Sequence, residues 1–88
     1  MIKVGELVSS SQGHDEGRKY LVVNIEGDFA YCVDGKYRPL NNPKKKRIKH
    51  LSSCFKNFEK FEDKLTTNKI YDFEISTFIK NESIMHKD

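Results

Sequence analysis

Two runs of β-branched and aromatic residues, Lys19-Tyr20-Leu21-Val22-Val23-Asn24-Ile25 and Phe29-Ala30-Tyr31-Cys32-Val33, stand only a short turn apart, Glu26-Gly27-Asp28. Residues of these types suit a half-buried pleated surface. Strict alternation places Leu21, Val23 and Ile25 on one face of the first run, with Tyr20 and Val22 on the other. A shorter apolar pair, Glu6-Leu7-Val8-Ser9, comes before them and runs into the polar loop Ser9–Arg18. After Val33, Asp34-Gly35 is a strong hairpin signal, because both residues tolerate positive φ. A fourth strand, Lys36-Tyr37-Arg38, is expected there and stops at Pro39. Asn41-Asn42-Pro43 breaks the chain again, and Lys44 to Leu51 reads as a fifth strand with its charges outward. Five short strands with tight turns predict a small barrel or sandwich, and closure removes exposed sheet edges.

The periodicity changes after Leu51. Phe55, Phe58, Phe61 and Leu65 recur at helical spacing, with Lys56, Glu59, Lys60, Glu62, Asp63 and Lys64 forming a solvated face between them. Thr66-Thr67-Asn68 interrupts and offers N-cap residues for a second helix starting near Lys69. Tyr71, Ile75, Phe78 and Ile79 make its apolar side, although the alternation Tyr71/Phe73/Ile75 also suits a strand. Residues Asn81–Asp88 read as a frayed end. The expected organisation is residues 1–51 as a barrel carrying a basic segment and 52–88 as a helical extension packed on it. A chain of 88 residues has room for one domain with a small core.

Net charge is +3, but its distribution is uneven: Lys36 to His50 contains seven Lys/Arg and no acidic residue. Such a segment points to a polyanionic partner. Catalysis is not expected. Asp15 and Glu16 are adjacent and diverge, while Ser9, His14 and Asp15 lie in one loop rather than converging on a pocket. No metal or other cofactor is expected, since Cys32 and Cys54 form no Cys-x-x-Cys pair and His14, His50 and His86 are scattered. Both cysteines are read as reduced, packed thiols. No apolar stretch is long enough for a membrane span, and the N-terminus meets charge too early for a secretory signal, so a cytoplasmic monomer is expected.

Val4-Gly5-Glu6-Leu7-Val8, the loop with Gly13, Asp15 and Gly17, and Tyr20-Leu21-Val22-Val23 together resemble a KOW motif. Asp34-Gly35-Lys36-Tyr37-Arg38-Pro39-Leu40 and Pro43-Lys44-Lys45-Lys46-Arg47-Ile48-Lys49-His50-Leu51 extend the resemblance. It is to bacterial KOW-domain RNA-binding proteins related to archaeal and eukaryotic large-subunit ribosomal proteins, and it covers residues 4–51. The resemblance implies an SH3-like barrel in contact with RNA, ribosomal RNA foremost, with ribosomal proteins as further neighbours. His14 stands where a basic residue is expected, and the match after Leu51 is loose.

The residues support RNA contact on their own chemistry. Lys44, Lys45, Lys46 and Arg47 can neutralise phosphates and release counterions, with Lys49 and His50 continuing the run. In a strand, Lys44, Lys46 and Ile48 share one face and Lys45, Arg47 and Lys49 the other, so at least one face is a solvated basic strip. Lys36 and Arg38 flank Tyr37, the aromatic best placed to stack on a base, and Arg38 can grip phosphate in bidentate fashion. Arg18 and Lys19 close a Gly/Ser loop whose amides can approach an anion. Tyr20, Phe29 and Tyr31 are read as core, with room for one to serve as a stacking platform. Phe55, Phe58 and Phe61 are read as packing the extension onto the barrel. The competing expectation is an SH3-like protein-interaction module for a transcription or translation factor, contacting it through Phe55 to Phe61 and Tyr71 to Ile79.

Overall fold

The structure is a computed structural model that describes the backbone of residues 1–14 and 16–85 and the side chains of all but 83–85 among these. Five strands, β1 (Glu6–Ser10), β2 (Lys19–Glu26), β3 (Phe29–Val33), β4 (Lys44–Arg47) and β5 (Leu51–Asn57), form one antiparallel sheet in the order β4-β3-β2-β1-β5. A single 3-10 turn, Ile48–His50, separates β4 from β5, and two helices follow, α1 (Phe61–Thr66) and α2 (Asp72–Met85). The protein is mainly β. No ladder joins β4 to β5 among the described residues, so the sheet is open.

Both faces of the sheet are buried at its centre. One face gathers Val8, Tyr20, Val22, Ala30, Cys32 and Leu51, with Ile2, Ile25 and Ile48 packed around them. The opposite face sets Leu21 and Val33 against Phe61, Ile70 and Ile75 from the helical segment. Alternation along β2 holds as far as Val22 and then fails. Val22 pairs with Cys32 but Asn24 pairs with Tyr31, so an extra residue bulges at Val23. Ile25 therefore sits with Tyr20 and Val22, not with Leu21 and Val23 as unbroken alternation would have it.

Lys36-Tyr37-Arg38 forms no strand. The Asp34 carboxylate accepts the backbone N–H groups of Lys36 and Arg38, both at 2.8 Å, and Arg38 O accepts those of Asp34 and Gly35. These bonds fold the segment back on Asp34 as a closed loop in place of a ladder. The fourth strand is Lys44–Arg47, and the chain then turns at Ile48–His50 where a continuous strand to Leu51 was expected. Leu51–Asn57 pairs with β1, which carries the sheet past the point where the change of periodicity suggests helix. Extra residues in β5 bulge opposite the Glu6–Val8 interval, and Phe55 takes φ 58 with its side chain 88% exposed. The three-residue spacing of Phe55, Phe58 and Phe61 thus arises from a bulge, a strand end and a helix start.

Asn68, at φ 59, ends α1, with Lys69 N donating to Lys64 O at 2.8 Å, so Thr66-Thr67-Asn68 is a C-terminal cap, not an N-cap. At the start of α2 the Glu74 carboxylate accepts Tyr71 N–H at 3.2 Å, and Asp72 accepts Leu40 N–H at 2.7 Å. Ile75, Phe78 and Ile79 face the sheet, whereas Tyr71 is exposed and stacks on Phe73. Residues 81–85, read as part of a frayed end, are helical; 86–88 lie outside the described residues. No described helix is long and apolar enough to cross a membrane.

Candidate nucleic-acid interface

The cations of β4 divide between its two sides. Lys44 and Lys46 are half-buried opposite Cys32 and Ala30, on the inner face, while Lys45 and Arg47 are exposed opposite Tyr31 and Phe29. Lys46 Nζ donates to Ser10 Oγ at 2.8 Å. Two strands lie between β4 and β1 in the sheet, so this bond records how strongly the sheet curls. Lys46 is thereby engaged inside, and Lys45 and Arg47 form the outward strip.

That strip is built around an aromatic ring. Lys45 Nζ lies 4.4 Å and the Arg47 guanidinium 5.0 Å from the centroid of Phe29, which is only half-buried. Cations this close are held by the ring's quadrupole. Of the three aromatics read as core with room for one stacking platform, Phe29 is the one set beside cations, through a cross-strand register that composition does not reveal.

A second cluster stands beyond the other end of β3. The Arg18 guanidinium lies 5.5 Å and Lys36 Nζ 5.2 Å from the ring of Tyr37, which is 67% exposed. The self-closed loop at Asp34 presents Lys36 and Tyr37, and β2 brings in Arg18 from its N-terminal side. Lys19 and Lys80 line the same cleft of about 280 Å³, with Ile79 apolar beside them. Lys80 was not singled out in the sequence, since it is distant in the chain and enters only through the docking of α2.

The remaining expected residues are less engaged. Arg38 is half-buried and its backbone closes the loop; Lys49 is exposed on the 3-10 turn. His50 contributes its carbonyl, which accepts both the N–H and the hydroxyl of Ser11, tying the Ser9–Arg18 loop to the start of β5. The cations and aromatics assemble at the two ends of β3, about 13 Å apart along the strand.

Among the described residues no three His, Cys, Asp or Glu side chains are grouped to hold a metal ion. Burial pushes the Cys54 thiol above its ordinary value of 9.0; Lys19 opposes this, while Glu6 and Glu82 add to it. A thiol so held is a poor nucleophile at neutral pH. Comparison with protein-family models and with curated proteins returns no match for this chain.

Proposed function

We propose that this protein is a non-enzymatic, KOW-type RNA-binding protein of the cytoplasm, acting on ribosomal RNA in association with the ribosome. The observation that carries the reading is the pair of cation-flanked aromatics, Phe29 with Lys45 and Arg47, and Tyr37 with Arg18 and Lys36. Each unites a phosphate-binding charge with a flat face for a base, the combination that recognition of unpaired RNA uses. An SH3-like barrel is supported by the strand order, by the 3-10 turn between β4 and β5, and by the Lys46–Ser10 bond across the curl.

Five cations are exposed on this surface, Arg18, Lys36, Lys45, Arg47 and Lys49. If all five meet phosphates of a single strand, at about 0.7 per contact, log affinity should fall against log salt with a slope of about −3.5. Replacing Lys45 and Arg47 by Gln should flatten that slope by about 1.4. Ribosomal RNA binding measured across a salt series tests this, and a slope near zero would sink the electrostatic account. Sedimentation of the tagged chain with the large subunit, lost after RNase treatment, tests the ribosomal assignment.

A second reading, a protein-interaction module for a transcription or translation factor, is favoured by Tyr71 and Phe73. Their rings stack at 5.8 Å while remaining 53% and 67% exposed. Binding that ignores salt and is lost in Phe73→Ala would select it over RNA.

A further inference from the structure

The largest of the described clefts, about 640 Å³, lies at the β2–β3 turn and holds none of the aromatic residues discussed above. Ile2, Ile25 and Ile48 give it an apolar floor, Arg47 and Lys49 supply its cations, and Asp28 carries a carboxylate in the lining. The three isoleucines also pack on the inner core cluster, so the floor is rigidly backed. Its volume falls within the range of about 300–1,000 Å³ typical of small-ligand sites.

Its composition matches one ligand chemistry well. A nucleotide presents a flat apolar face, a phosphate and N–H donors on the base edge; the cleft answers with isoleucines, two cations and a carboxylate. A lipid tail or an apolar peptide side chain would use the isoleucine floor but neither the two cations nor the carboxylate of the lining. The position of the cleft argues the same way. Arg47 lies over Phe29 on the outward strip and also lines the cleft, so a strand following Lys45 and Phe29 arrives at its mouth. The bulge at Val23 is what turns Ile25 to this side.

We propose that this cleft receives one unpaired nucleotide, its base on Ile2, Ile25 and Ile48 and its phosphate on Arg47 and Lys49. The proposal rests on the RNA-binding reading and adds a substrate class: RNA with an extruded base or a single-stranded stretch, in preference to an uninterrupted duplex. Binding a flipped base in a pocket costs least where that base is already unpaired.

The test is NMR of the full chain with labelled isoleucine methyl groups, titrated with a short mixed-sequence single-stranded RNA and with a blunt RNA duplex. The methyls of Ile2, Ile25 and Ile48 should move under the ring current of the base with the single strand and not with the duplex. Those of Ile70 and Ile75, in the opposite core cluster, should stay. Gly27 supplies the variant: at φ 60 a Cβ there meets nothing within 4 Å, and Asp or Asn tolerates that backbone. Gly27→Asp should reduce the preference for the single strand over the duplex about fivefold, the effect of about 1 kcal/mol of like-charge repulsion against a bound phosphate. The isosteric Gly27→Asn should largely keep it.

If the backbone amides of Lys45 and Arg47 respond to RNA while the cleft methyls do not, the cleft is no nucleotide site and the RNA reading survives. If neither responds to any RNA, both readings fall together. Movement of the cleft methyls with an acidic, leucine-containing peptide but not with RNA would overturn the proposal in favour of a protein ligand.

Discussion

Gly27 and Gly35 both hold left-handed backbone, at φ 60 and φ 78, but they answer to different constraints. A Cβ at Gly27 points into open space, whereas one at Gly35 would come within 2.2 Å of Asp72 O and 2.9 Å of Ser76 N. Gly35 is thus the point at which the loop carrying Lys36 and Tyr37 lies directly against the backbone of α2. Gly27→Ala should cost only the strain of the left-handed region, about 1–2 kcal/mol. Gly35→Ala adds overpacking to that strain and should cost about 2–5 kcal/mol. Urea denaturation of the two variants checks the ordering; equal shifts in midpoint would mean that α2 does not seat on this loop.

At the scale of elements, α2 is held to the sheet by few side chains, and Ile75, fully buried against Leu21 and Val33, is central among them. Ile75→Ala should destabilise the protein by about 2–5 kcal/mol, while Thr77→Ala, on the exposed side, should stay within about 0.5. A small Ile75 effect in thermal unfolding would show the helix to be an appendage. Period-two patterning made β2 and β3 readable, since their residue types and the turn between them agree. What alternation cannot carry is the bulge at Val23, which depends on pairing with β3 and moves Ile25 to the other face. The same limit hid β5. Phe55, Phe58 and Phe61 mimic a helical stripe, and only the pairing of Leu51 to Asn57 with β1 shows that Phe55 belongs to a strand. The second helix was legible in its apolar residues but not in its start, because Asn68 could cap either helix and the turn at Lys69 ended the first.

Over the whole molecule, the basic character of the surface and the division of Lys44 to Arg47 between two faces were legible, but which face turns inward was not. Composition places seven Lys/Arg between Lys36 and His50, but the curl of the sheet decides that Lys46 turns inward to Ser10 while Lys45 and Arg47 turn out beside Phe29. Tyr37 was legible as the exposed aromatic, since its neighbours on both sides are cations; Lys80 and Phe29 needed the tertiary arrangement. The open sheet has a further consequence. β4 is one of its two margins, and every residue of that margin is Lys or Arg. Sheet margins invite strand-to-strand growth between molecules, and like charge along them is a common safeguard. On the RNA-binding reading proposed above, the safeguard and the binding charge are the same side chains, so a polyanion that occupies β4 should also disarm it. The protein should behave as a colloid titrated through its point of charge balance: clear alone, turbid near equivalence with a polyanion, and clear again when the polyanion is in excess and recharges the particles. Light scattering against the ratio of inorganic polyphosphate to protein reads this directly, and a flat trace would mean that the margin is guarded by something other than its charge.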